Sequence, residues 1–212
     1  MATDAATGTP RELLLTFAEL EALVGEEERW PTVRAAMNTR APADEQVAIS
    51  GLASLLVRDL ARMSEAGEPV VHGQVGQLAR RLGRATQVVG LSHVEPDGAI
   101  AVFLICAAGG ADDRVMVRVV GPGVVALSPL VDDGTIADQA ALLGGSLLDG
   151  RQGAVHIQPL NRPAVTVRRS SEVWEAAFSV KEGTAKFTEM SRAEAMDMMR
   201  ASAASVFSKS AR

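Results

Sequence analysis

The run TQVVGLSHV-EPDG-AIAVFLICA, residues 86–107, decides the fold. On both sides of Glu95-Pro96-Asp97-Gly98 the chain is rich in β-branched and large apolar residues. Such side chains suit a pleated, partly buried surface, and the Pro-Asp-Gly sequence suits a tight turn. Thr86–Val94 and Ala99–Ala107 therefore read as two antiparallel strands. Downstream the pattern continues: a turn at Gly109–Asp113, a strand over Arg114–Val120, a turn at Gly121-Pro122-Gly123, and a strand over Val124–Ser128. This is a four-stranded meander. A helix over Ile136–Leu143, with Thr135 as its cap and Gly144 as its stop, closes the block.

Working upstream, three helices precede the meander. Thr16-Phe17-Ala18-Glu19 has the spacing of a capping box, in which hydroxyl and carboxylate exchange bonds with each other's N–H. Phe17, Leu20, Leu23 and Val24 follow at helical spacing, and Gly25 ends the element. Trp30-Pro31-Thr32-Val33 reads as a loop or the start of a short strand. A second helix is expected over residues 44–63, with Ile49, Leu52, Leu56, Leu60 and Met63 on one face and Gly67 as terminator. A third, over Gln74–Leu82, stops at Gly83.

Downstream of Gly144 the sequence reads as a connector to Pro163, with a short strand at Val155–Gln158. Strands are then expected at Ala164–Arg169, Val173–Val180 and Thr184–Thr188. Ser191-Arg192-Ala193-Glu194 is a second capping box, opening a helix with Met196, Met199, Ala203 and Val206 on one face. The segments Gly123–Leu130 and Gly183–Met190 each run from a glycine turn through one strand into a capped helix. That recurrence fits either a pseudo-duplication about a quasi-two-fold axis or the common succession of meander and helix. The expected fold class is α+β, a central antiparallel sheet flanked by helices. Residues 1–12 are expected to be disordered and 13–212 to form a single domain, with candidate halves 13–144 and 154–208.

Composition narrows the function. Five Phe, two Trp and no Tyr leave few stacking platforms for single-stranded nucleic acid, and the core must be aliphatic. A net charge of -5 argues against nucleic acid and anionic membrane as partners, since both attract positive footprints. Cys106 is the only cysteine, so no internal disulfide can form, and its apolar setting suits a buried thiol. The N-terminal residues carry neither the cationic nor the apolar region of a signal peptide, and no apolar run reaches the ~20 residues of a bilayer span. A cytoplasmic protein is expected.

No residue pattern defines an active site. His72, His93 and His156 lack the spacing of a metal site, and a single thiol excludes a cysteine-rich zinc centre. His93 reads as a half-buried strand residue; His72 and His156 read as exposed residues near loops. Gly121-Pro122-Gly123 lacks the Lys-Ser/Thr of a phosphate loop. Gly144-Gly145 follows a helix instead of opening one, so Ser146 is not on a nucleophile elbow. Asp112-Asp113 and Asp132-Asp133 read as turn residues. The sequence accordingly names no catalytic, cofactor-binding or metal-binding residue, requires no cofactor, and leaves the partner-binding residues unidentified. The expected class is a non-enzyme. One rival lies in Gln77–Val89, which has the outline of a helix-turn-helix with Arg80, Arg81 and Arg84 as phosphate contacts. Against it, Thr86 to Ser92 are strand-favouring residues. An enzyme or ligand-binding module with a site assembled from distant residues is the other alternative.

The order LTFAELEALVG, GLASLLVRDLA, GQLARRLGRATQVVGL, meander and capped helix resembles the EspG-like secretion-associated proteins of type VII (ESX) systems in actinobacteria. Leu82 to Val89 stands where that family passes from a helical subdomain into its sheet, and the resemblance covers residues 13–207. It implies a cytosolic chaperone that binds the apolar tip of a helical secretion substrate such as a PE–PPE pair. Self-association stays open. The four methionines Met190, Met196, Met198 and Met199 would suit a pliable binding surface, with Met198 the one expected to face solvent. Met196 and Met199 have the spacing of a core-facing stripe.

Overall fold

The computed structural model describes residues 12–37, 45–109, 113–130, 134–149, 152–160, 163–178 and 186–204. The expected hairpin is present as β4 (Gln87–Val94) and β5 (Ile100–Ala107), with Val89 opposite Ile105 and Leu91 opposite Phe103. Its turn places Gly98 at φ +88°, which a side chain would strain. The meander continues through β6 (Arg114–Gly121) and β7 (Val124–Pro129), and α5 (Ile136–Leu148) closes it. The second set follows as β8 (Gly153–Pro159), β9 (Val165–Ser170), β10 (Val173–Phe178), β11 (Thr188–Met190) and α6 (Arg192–Ala204). The fold is α+β, and its main sheet is antiparallel throughout.

The strand order is β1-β7-β6-β5-β4-β8-β9-β10-β11, where β1 is Leu13–Thr16. Read outward from the β4–β8 pair, the two sides repeat each other: β4, β5, β6, β7, α5 on one, β8, β9, β10, β11, α6 on the other. Adjacent antiparallel strands are related by a two-fold axis normal to the sheet, so the recurrence seen in sequence is a topological pseudo-two-fold. The repeating units span residues 87–148 and 153–204. Helix α5 runs past residue 144, the end of the first expected half (13–144, with 154–208 as the second), and among the described residues, 12–37 and 45–86 have no counterpart in the second unit.

Successive strand residues face opposite sides of the sheet, and two cores result. Val89, Leu91, Phe103, Ile105, Val155, Ile157, Val165, Val167 and Trp174 lie under α5 and α6. Val88, Leu104, Cys106, Val115, Val117, Val125 and Leu127 lie under the N-terminal layer. That layer consists of α1 (Phe17–Val24), α2 (Trp30–Ala36), α3 (Glu45–Val57) and α4 (Gly73–Gly83), with a separate two-stranded arm, β2 (Ala61–Met63) and β3 (Pro69–Val71). Burial of the Cys106 thiol pushes its pKa up to about 12, so at neutral pH it is an inert, small apolar group.

Several elements depart from the sequence reading. Trp30–Ala36 is helical: Pro31 sits in the first turn, where its missing N–H is no loss, and Trp30 and Val33 are buried. The second helix ends at Val57 and not at residue 63. Asp59 takes a left-handed conformation (φ +55°), the N–H of Leu60 closes on Leu55 O at 2.8 Å, and the chain turns back into β2. Gly67 is therefore not a helix stop but the arm's turn residue. The buried face of α3 is Gly51 and Leu55; a Cβ at Gly51 would lie 1.9 Å from Ala18 O, so glycine sets the α1–α3 spacing.

Helix α5 continues through Gly144 and Gly145 because α6 packs on them. Added Cβ atoms would lie 2.8 Å from Met199 Sδ and 2.5 Å from Met196 Sδ. The expected connector is thus helix to Leu148 and then a full strand, β8, paired along β4. Thr184–Thr188 reduces to the start of β11, residues 184 and 185 and Val206 lying outside the described residues. Both capping boxes of the sequence reading are present, and Thr135 with Asp138 adds a third. Of the N-terminal stretch expected to be disordered, residues 1–11 lie outside the described residues. Glu12 is placed, its carboxylate 2.7 Å from Arg118 Nη2.

Candidate functional site

The structure separates the residues that chemistry would need together. His93 is fully buried on the α5–α6 side of the sheet, not half-buried, between Ala101 and Val155. Its Nε2 has no hydrogen-bond partner and abuts Gly153, where a Cβ would lie 2.9 Å away. His156 is not a loop residue: it stands in β8 on the opposite face, half-buried, with Nδ1 2.9 Å from Thr166 Oγ1. His72 is exposed at the start of α4, 3.6 Å from Asp59. Among the described residues no group of three or more His, Cys, Asp or Glu could hold a metal ion. Ser146 lies within α5 and donates to Leu143 O, and Asp113 lies 3.9 Å from Arg81. Asp112, Asp132 and Asp133 lie outside the described residues.

The Gln77–Val89 segment forms no helix-turn-helix. Helix α4 passes directly into β4, where Val88 and Val89 are buried in the middle of the sheet. Arg84 lies 3.5 Å from Glu27, and the guanidinium of Arg80 donates back to Gly76 O. Met198 is not the exposed methionine expected; it is half-buried and packs against the α5–α6 core, as Met190 does. Among the described residues, no helix is long and apolar enough to cross a membrane.

What the structure does gather is exposed apolar surface on α3 and the arm. Ile49 (61% exposed), Ala53 and Val57 (88%) fall at i, i+4 and i+8, a stripe on the side of α3 away from Gly51 and Leu55. The arm that follows carries two more exposed apolar residues, Met63 (50%) and Val70 (42%), which its register, Met63 opposite Pro69 and Arg62 opposite Val70, puts on opposite faces of the hairpin. Single exposed apolar residues are ordinary, but a row of them along one side of a helix is what interaction surfaces present. Between the arm and the helices beneath it is an opening of about 350 Å³, lined by Leu23, Pro69, Val70, Val71, Gly76, Ala79 and Arg80.

An isolated hairpin is marginal in water, so the arm's position depends on its base. Ala61 is buried, Val71 packs against the N-terminal core, and the N–H of His72 donates to Leu60 O at 3.0 Å. At the tip, the N–H of Ser64 donates to Glu68 O, and Gly67 takes φ +78°.

One buried polar cluster fixes α3 beneath this surface. Glu19, the capping-box carboxylate of α1, is inaccessible to solvent and accepts four contacts from three groups: Thr16 N–H (2.7 Å), Ser54 Oγ (2.7 Å) and Arg58 Nη1 on both oxygens (2.7 Å each). Burial alone would raise its pKa. The hydrogen bonds from Thr16, Ser54 and Arg58, together with the Arg58 charge, outweigh that and hold the carboxyl below its ordinary range. Arg58 also donates to Leu14 O on the edge strand β1, tying the helix end to the sheet. The sequence showed Glu19 as a capping residue only. That the same carboxylate clamps a helix 35 residues downstream depends on the close approach at Gly51.

No family model matches the chain, and no curated protein is significantly similar to it.

Proposed function

We propose that the chain is a cytosolic protein-binding chaperone or adaptor of the EspG-like kind, holding an apolar end of a helical secretion substrate against α3 and the β2–β3 arm. The observation that carries this reading is the exposed stripe Ile49–Ala53–Val57 on a clamped helix, with Met63 and Val70 exposed on the two faces of the anchored hairpin that follows it. A client's own exposed apolar residues would be shielded there, each buried aliphatic side chain contributing about 1.5–3 kcal/mol. The resemblance of helical subdomain, meander and second half to the family supports the same reading.

The test is affinity capture from the native cell with mass spectrometry, comparing three forms of the protein. The wild type is expected to retain a helical secreted protein. Val57→Glu with Val70→Glu is expected to release it, because a charge would be buried at the contact. Leu142→Glu, at an exposed position on α5, is expected to retain it. Capture that is indifferent to the Val57 and Val70 changes would overturn the assignment of the surface. A captured set without any helical export substrate would overturn the function.

A further inference from the structure

We draw no further inference here: the strongest candidate, the acidic groove of about 630 Å³ between the end of α1 and the start of α3, rests on a cluster of glutamates, Glu21, Glu26, Glu27 and Glu45, and among the described residues no unpartnered buried side chain lines it.

Discussion

The two repeats share one topology but face water differently. Toward α5 and α6 both are apolar, from Leu91 and Phe103 in the first to Ile157 and Val167 in the second. On the opposite face they part. The first repeat presents Leu104, Val115, Val117 and Val125 to the N-terminal layer. The second presents His156, Gln158, Thr166, Arg168 and Glu175, and the helices packed on β8, β9 and β10 are α5 and α6. These polar residues satisfy one another: His156 with Thr166, and Arg168 with Glu175 at 2.8 Å and with the Phe187 ring at 4.0 Å. An antiparallel sheet tolerates one wet face, and among the described residues no helix layer like that on the first repeat is packed on the second repeat there. The first does need such a layer, and residues 13–83 supply it.

The sharpest way to break this comparison is to place a carboxylate on each outer face. Val117→Asp buries an unpaired charge under the N-terminal layer and is expected to cost more than about 3 kcal/mol, enough to unfold a marginal domain. Thr166→Asp on the second repeat is expected to change stability by less than about 1 kcal/mol. Urea denaturation measures both; equal losses would mean that the second outer face is covered too.

The helix layers offer a second contrast. Gly51→Ala drives a methyl into the backbone of Ala18, which cannot yield without moving α1, and about 2–3 kcal/mol of destabilisation is expected. Gly145→Ala meets the flexible end of Met196, and the helix-propensity gain of about 1 kcal/mol offsets much of the strain. Its net effect should be small. A larger loss at Gly145 than at Gly51 would show that the α5–α6 packing is the more rigid of the two layers.

Glu19 makes the N-terminal layer acid-sensitive. Its folded pKa is depressed, so its contribution is present above the unfolded carboxylate range and is lost as pH falls through the folded value. Glu19→Gln is expected to cost about 1–3 kcal/mol at pH 7. The gap between variant and wild type should close as pH falls below about 4. Thermal melts across that window check it, and a constant gap would contradict the role given to the charge.

The smallest effect is expected at the ends of the α5–α6 pair, where α5 supplies both acids and α6 both arginines: Asp138 with Arg200 at 2.8 Å, Asp149 with Arg192 at 2.6 Å. Arg192 holds the Asp149 carboxyl below its usual range despite exposure. Asp149→Asn should lower the melting temperature slightly at low salt and leave it unchanged at high salt.

Much of this architecture was legible because it is local. The hairpin around Pro96-Asp97-Gly98, the capping boxes at Thr16 and Ser191, and the succession of strand and capped helix all follow from neighbouring residues. The arm was not legible: Val70 and Val71 after Gly67-Glu68-Pro69 carried a strand signal, but the helical spacing through Met63 masked it. Ile49 was assigned to the buried face for the same reason, because it is as apolar as the buried Leu55, whereas Leu56 does pack against the core.

By itself, then, the chain determined its periodicities, turns and caps, each a matter of backbone propensity within a few residues. Tertiary structure decided which apolar stripe was buried, where α3 and α5 ended, and that Glu19 clamps Ser54 and Arg58. The α1–α3 and α5–α6 packing among them hinges on glycines at 51, 144 and 145, whose meaning comes from the backbone or methionine pressed against them. A missing side chain carries no local sign of what will occupy its space.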